Sequence, residues 1–246
     1  MTPLDVFAVA LLALGALGVL VSGAYAWQTT RAVRAPAFDT LASPTPGDCV
    51  RVEGTAHAGS NGPLESPLSE QSALAVQATV EERRLGVVPL PTWVQLARTS
   101  VAEPFQVRTP TADISLVAPT ASLVLADGSV AEVVPGETPA DALRSFERRH
   151  EVPSRTIWHR RPPVVSLLAR ALSLGTRRYR EGVLEPGAEV LVMGRLVETD
   201  EGLGLDPTVV SDRSPGATLR RMARTAVIGL LASGAGFVLG LTLWLG

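Results

Sequence analysis

Two apolar runs, one near each end, constrain this chain more than anything between them. Val6–Trp27 reads VFAVALLALGALGVLVSGAYAW and Thr225–Gly246 reads TAVIGLLASGAGFVLGLTLWLG, neither with an Asp, Glu, Arg, Lys or His. Each is about twenty-two residues long, and a helix rising ~1.5 Å per residue carries that length across a hydrocarbon core of ~30 Å. In lipid the backbone has no polar partner but its own helix, so the expected structure is a membrane-spanning helix at 6–27 and a second at 225–246. Tyr25, Trp27 and Trp244 near the run ends suit an interfacial belt. These two runs also account for a mean hydropathy of +0.24.

A cleaved signal peptide is the rival for the first run, since Ala24-Tyr25-Ala26 has the small-residue pattern of a cleavage site. No basic residue precedes the run, however, and it exceeds an apolar h-region of roughly 7–15 residues, so a retained anchor is expected. Small residues recur at spacing four, as Gly18, Ser22, Ala26 and as Ala232, Gly236, Gly240. Such stripes permit close helix pairing, but Ala and Gly are common in membrane helices, and composition alone is the favoured explanation. Arg31 and Arg34 follow the first run, and Arg213, Arg220, Arg221 and Arg224 precede the second. The bias of arginine toward the inner side predicts an integral protein of the cell membrane, its middle region cytoplasmic and both termini outside.

The segments are then a linker at 28–45, a soluble domain at 46–212, a basic juxtamembrane stretch at 213–224 and the second span. The soluble domain reads as β-rich, α+β and barrel-like. Val50 and Val52 alternate with Arg51 and Glu53 in Cys49–Ala56, a strand pattern. Further strands are expected at 73–82, 92–97, 105–109, 114–118, 179–184, 189–198 and 202–210. Asp127-Gly128 signals a hairpin turn between 122–125 and 130–134. A helical insert is expected within 139–175, opening at Thr138-Pro139-Ala140-Asp141 with Leu143 and Phe146 on one face.

One phrase occurs twice. Pro46–Gly54 is PGDCVRVEG and Pro186–Gly194 is PGAEVLVMG, both Pro-Gly-x-x-Val-x-Val-x-Gly. A phosphate cradle would lead its glycines into a helix N-terminus, and neither copy precedes helical periodicity. The phrase reads as architecture: a turn, core-facing valines, and a glycine for a bend or bulge.

Little chemistry is visible. All 22 basic residues are arginine, which rules out a Walker A lysine and Schiff-base catalysis. A net charge of −2 gives no ground for nucleic-acid binding. Cys49 is the single cysteine, read as packing within a strand, and it allows neither a disulfide framework nor a cysteine-rich zinc site. His57, His150 and His159 show no metal-binding spacing. Asp200, Glu201 and Asp206 read as a solvated turn. No catalytic, cofactor-binding or metal-ligating residues are assigned.

The most unusual soluble stretch is Pro153–Arg180. It carries Arg155, Arg160, Arg161, Arg170, Arg177, Arg178 and Arg180 with Trp158, a run of Val, Leu and Ala, and no Asp or Glu. Val164, Leu168, Ala171 and Leu172 fit a helical face. Two readings stand level: a segment lying on the inner leaflet, with Arg155, Trp158, Arg160, Arg161, Arg170, Arg177 and Arg178 as contacts, or a helix packed on the barrel with a solvated basic flank.

Several short phrases occur together in a recognisable order: Ser66-Pro67-Leu68-Ser69, Val80-Glu81-Glu82, Trp93, Pro104-Phe105, Tyr179, Leu184-Glu185-Pro186-Gly187 and Val190-x-Val192-x-Gly194. Together they resemble the GIDE, or beside-a-membrane, domain of the MULAN mitochondrial ubiquitin ligases, from about Pro46 to Val210 and with a span on either side. The resemblance implies structural roles for Ser66, Pro67, Leu68, Pro104, Phe105, Tyr179, Pro186, Gly187 and Gly194. It also implies ubiquitin transfer, which in that family uses the zinc ligands of a RING domain, and one cysteine cannot furnish them. Ala73 stands where relatives often have a cysteine. Mitochondrial members hold the domain in the intermembrane space, whereas the arginines here predict cytoplasm.

The expected function is a non-enzymatic binding or scaffolding module tethered at the membrane. Its expected partners are the lipid bilayer and a membrane-associated protein or a second copy of the chain. The alternatives are a RING-less relative of the ligases and an accessory subunit of a membrane complex.

Overall fold

The computed structural model describes residues 3–33, 35–86, 90–117, 122–153, 156, 158, 166–199, 202–212 and 215–245. Helix α1 (Pro3–Val33) and a last helix, α4 (Pro215–Leu245), are 31 residues each. They form an antiparallel pair with a sheet-rich domain between them in sequence. The pairing is close because small residues meet. A Cβ on Gly15 would lie 2.7 Å from the Phe237 backbone, and one on Gly240 2.9 Å from the amide of Leu12. Ser233 fills the space over Gly18, and Ser22 the space over Gly229. Backbones this near forgo side-chain bulk for dispersion contact along the whole seam. The expectation that the small-residue stripes were merely compositional is therefore corrected for Gly18, Ser22 and Gly240. Gly236 has open space beside it.

Among the described residues the domain contains two large sheets and a separate two-stranded pair. Five strands close into a ring: β1 (Cys49–Ala58), β6 (Phe105–Arg108), β7 (Asp113–Leu116), β11 (Glu189–Thr199) and β12 (Gly202–Ser211). The ring order is β11-β1-β6-β7-β12, closed by β11–β12, and β7–β12 is parallel while the other pairs are antiparallel. This is the connectivity of an OB-type Greek-key barrel, an architecture that hosts many functions. The short β8 (Ser122–Val124) continues the edge of β12 beyond β7. Inward residues, among them Val50, Val52, Val107, Ile114, Val192 and Leu205, make one core. Phe38 and Leu41, in the connection from α1, pack on it from outside.

The repeated phrase frames this barrel. Its two copies lie on β1 and β11 and pair with each other about Val52↔Val192, with Val50↔Gly194 and Gly54↔Val190. Each Pro-Gly turn clasps the far end of the other strand. Gly47 N–H donates to the Leu196 carbonyl at 2.7 Å, and Gly187 N–H to the Ala56 carbonyl at 2.7 Å. Both turn glycines have positive φ, 101° and 85°, where a side chain is strained. The closing glycines allow strand crossing: a Cβ on Gly54 would lie 2.2 Å from the Arg108 carbonyl oxygen, and one on Gly194 2.2 Å from that of Asp206. The arrangement is a two-fold-like pair of strands, each supplying the other's turn and bend.

The second sheet is built from two insertions into the barrel. Between β1 and β6 come a small pair, β2 (Leu64–Glu65) and β3 (Ser72–Ala73), and then the long β4 (Ala75–Leu85) and β5 (Pro91–Ala102). Between β7 and β11 come β8, β9 (Asp127–Val133), helix α2 (Asp141–Arg149), helix α3 (Ser166–Ala171) and β10 (Arg177–Leu184). The order β5-β4-β10-β9 is antiparallel throughout. Leu143 and Phe146 of α2 pack on Ala78, Val80, Val133 and Tyr179, as their spacing predicts.

Two expectations change here. Asp127-Gly128 does not turn a hairpin: β8 joins the barrel sheet and β9 the other, so the local turn signal yields to pairing with β10. Cys49 is exposed, because alternation turns Val50 into the core and its neighbour outward.

Candidate functional site

Sheet residues alternate in direction, so β10 sends Arg177, Tyr179 and Glu181 to the α2 side and Arg178 and Arg180 to the other. This corrects the expectation that Arg177 meets lipid. It is 3% exposed, held by Glu82 at 3.5 Å from β4 and by Glu147 at 2.6 Å from α2, and it donates to the Pro153 carbonyl. Glu82 is fully buried and also takes Arg84 at 2.8 Å. The Tyr179 hydroxyl donates to Glu147 at 2.6 Å. Burial, reinforced by the Glu147 carboxylate, pushes the Tyr179 phenol well above its ordinary value. Burial opposes the Arg177 charge, but Glu147 and Glu82 outweigh it and hold its pKa above the usual value. The cluster ties two strands, one helix and the chain after that helix into a single ionic knot.

On the opposite face, Arg178 lies 4.2 Å over the ring of Trp93 on β5 and bonds Glu81 at 2.7 Å. Arg83 approaches the same ring at 5.9 Å, and Arg180 pairs with Asp127 at 3.0 Å. Of the other expected lipid contacts, Arg170 is exposed on α3 and Trp158 is half-buried, while Arg155, Arg160 and Arg161 lie outside the described residues. On the helical face expected in this stretch, Ala171 is exposed. Ala169 and Leu174 are buried instead.

The motif residues fall at structural joints. Ser66–Ser69 form a turn whose Leu68 and Ser69 amides donate to the buried Glu181 carboxylate at 3.1 and 3.0 Å, so the loop solvates an anion from β10. Pro67 lies within that turn, and Ser66 is buried with its hydroxyl 2.9 Å from that of Ser69. Pro104 and Phe105 open β6, where a Cβ on Gly59 would lie 2.5 Å from the Pro104 carbonyl oxygen. Pro186 and Gly187 make the β10–β11 turn, and Gly194 sits at a register shift in β11. Sequence spacing did not single out Glu147 or Glu181, whose partners lie about 30 to 113 residues away, and Glu82 entered only within the Val80-Glu81-Glu82 phrase, with no sign of its pairing to Arg177 95 residues on.

A cleft of about 580 Å³ opens beside the barrel strands, lined by Glu53, Thr55, Arg108, Glu189, Leu191 and Asp212 among others. Its charges are largely engaged: Arg108 with Asp113 at 3.0 Å, Glu53 with Arg51 at 3.0 Å, and Asp212 with the Ala126 amide. His57 is on β1, His150 stacks on Phe146 at 4.4 Å, and His159 lies outside the described residues. Among the described residues no group of three His, Cys, Asp or Glu is placed to hold a metal ion.

The remaining feature of the described residues is the helix pair itself. The antiparallel helices bring the barrel connections, Val33 and Pro215, to one end and Pro3 and Leu245 to the other. In this pairing Trp244 stands level with about residue 7 of α1, so Trp27 and Trp244 bracket roughly 30 Å of helix. The two helices are apolar and long enough to cross a membrane. The chain matches no family model, no curated protein and no solved structure.

Proposed function

We propose that this chain is a membrane-tethered, non-enzymatic binding or scaffolding module, with the α1–α4 hairpin in the bilayer and the barrel domain on its cytoplasmic side. The observation that carries the proposal is the glycine-seamed antiparallel pair, whose tryptophans stand about one hydrocarbon thickness apart. A domain joined to that pair at both ends is confined to a thin layer above the membrane. Confinement raises its effective concentration toward other membrane-bound proteins without any new contact. The GIDE-like phrases agree with this reading, since Ser66, Leu68, Pro186, Gly187 and Gly194 all serve turns, bends and buried joints. Ubiquitin transfer by this chain is the less supported reading, because a RING needs more cysteines than Cys49.

The test is thiol topology. In a Cys49→Ser background, Ser60→Cys in the exposed turn after β1 is probed on intact cells with a membrane-impermeant maleimide. Protection that disappears on lysis is expected. Labelling of intact cells would place the domain outside and refute the arginine-based orientation.

A further inference from the structure

Two stretches free of acidic residues, 83–102 and 153–180, carry ten arginines between them. They come side by side at the tip of the second sheet. Arg83 N–H donates to the Thr176 carbonyl and Gly175 N–H to the Arg83 carbonyl, joining the end of β4 to the chain after α3. Four of these arginines are neutralised within the fold: Arg84, Arg177, Arg178 and Arg180. Arg170 is exposed, and the Arg83 guanidinium lies 5.9 Å over the ring of Trp93. Around them Leu167 on α3 is 85% exposed and Leu90 in the β4–β5 hairpin is 63% exposed. Bare leucine beside unneutralised arginine is the composition of a surface that enters an anionic lipid interface.

The root of this sheet gives the surface its occupant. Thr55↔Glu189, Ala58↔Phe105 and Leu191↔Ser211 show that the chain leaves the barrel for the second sheet at the end where β12 hands over to α4. There the Asp212 carboxylate accepts from the Ala126 amide at 2.8 Å, fastening the start of β9 to the foot of α4. The sheet thus springs from the barrel at the level of the membrane helices rather than from the far end.

We propose that the tip formed by Leu90, Leu167, Arg83 and Arg170 docks on the anionic leaflet of the membrane that holds the hairpin, an inference resting on the spanning role of α1 and α4. It makes the domain a two-point attachment, with a permanent anchor and a charge-dependent foot. Each arginine near anionic lipid strengthens such a contact by a factor of about five, an effect that salt screens.

The test uses the full chain with Cys49→Ser, reconstituted in vesicles of phosphatidylcholine alone or with about a third phosphatidylglycerol. Single cysteines replace Leu167, Leu90, Leu20 in α1 and Glu198 at the opposite end of the barrel, each carrying an environment-sensitive dye and probed with nitroxide lipids. Leu167→Cys and Leu90→Cys are expected to be quenched in anionic vesicles at low salt and not in neutral ones. Leu20→Cys is quenched in both and Glu198→Cys in neither. Arg170→Gln weakens the Leu167 contact about fivefold, and Leu90→Asp abolishes it. If the tip sites follow Glu198 while Leu20 is quenched, docking is refuted and the anchor stands. Equal tip quenching in both lipids refutes the anionic assignment. An unquenched Leu20 refutes the spanning hairpin and the docking with it.

Discussion

At Gly194 the barrel leaves no room for a side chain, since a Cβ would sit 2.2 Å from the Asp206 carbonyl oxygen. Backbone cannot retreat as a flexible side chain can, so Gly194→Val is expected to cost about 3 kcal/mol. Gly187→Ala, strained only by its φ of 85° with open space around it, should cost about 1 kcal/mol. Denaturant unfolding of the domain in the detergent-solubilised chain would rank the two, and equal effects would contradict the crossing-strand account. Arg177 poses a charge problem of another kind. Arg177→Met leaves Glu147 and Glu82 with fewer partners in the interior and should destabilise by about 3 kcal/mol, with part recovered when Glu82→Gln is added. Tyr179 sets an alkaline limit. Its phenol is raised in the fold, so above the ordinary value of 10.0 the unfolded chain loses a proton that the native chain keeps. Its contribution is complete below that pH and falls as pH rises through the raised value. Tyr179→Phe should flatten this alkaline loss in a stability–pH profile.

Among the elements, those whose signal is local could be read from the sequence. The strand at 49–58 shows itself through alternating Val50 and Val52, and α2 through Leu143 and Phe146 three residues apart. The division into two sheets could not be read, because β4 finds β10 about a hundred residues away and no local pattern encodes that choice. For the same reason Asp127-Gly128 misleads: a good turn dipeptide is absorbed into the start of β9, where it pairs with Gly182 and Glu181. The candidate lipid contacts were part legible. The arginine-rich run is unusual in the sequence, but the phase of β10, which buries Arg177 and leaves Arg178 half-buried on the other face, depends on the core beneath it. The helix seam was hidden among many small residues and is now specific enough to test. A Cβ on Gly229 would lie 3.5 Å from the Ser22 Cβ, within the usual disulfide separation. In a Cys49→Ser background, Ser22→Cys with Gly229→Cys should oxidise to an intramolecular bond, seen as thiols lost to maleimide under non-reducing conditions. Ser22→Cys with Gly236→Cys should stay reduced.

In the whole molecule, the barrel and the hairpin constrain each other. β1 is the first strand after α1 and β12 the last before α4, and both pair antiparallel with β11. They therefore run parallel, so β1 starts at the barrel end away from the β12–α4 junction, and the connection at 35–48 carries the chain back alongside β1, where the Arg51 N–H donates to the Pro36 carbonyl. Helices that pair through Gly15, Gly18, Gly229 and Gly240 hold the two ends of the domain side by side and lower the entropy cost of closing the ring. This mutual constraint predicts a relative topology independent of which compartment holds the domain. Protease-cleavable epitopes fused at residue 1 and residue 246 should be cut together from one side of sealed vesicles. A Ser60→Cys thiol should be reached only from the other. Epitopes on opposite sides would mean that the chain crosses the membrane an odd number of times, and the α1–α4 pair could not then be the membrane anchor.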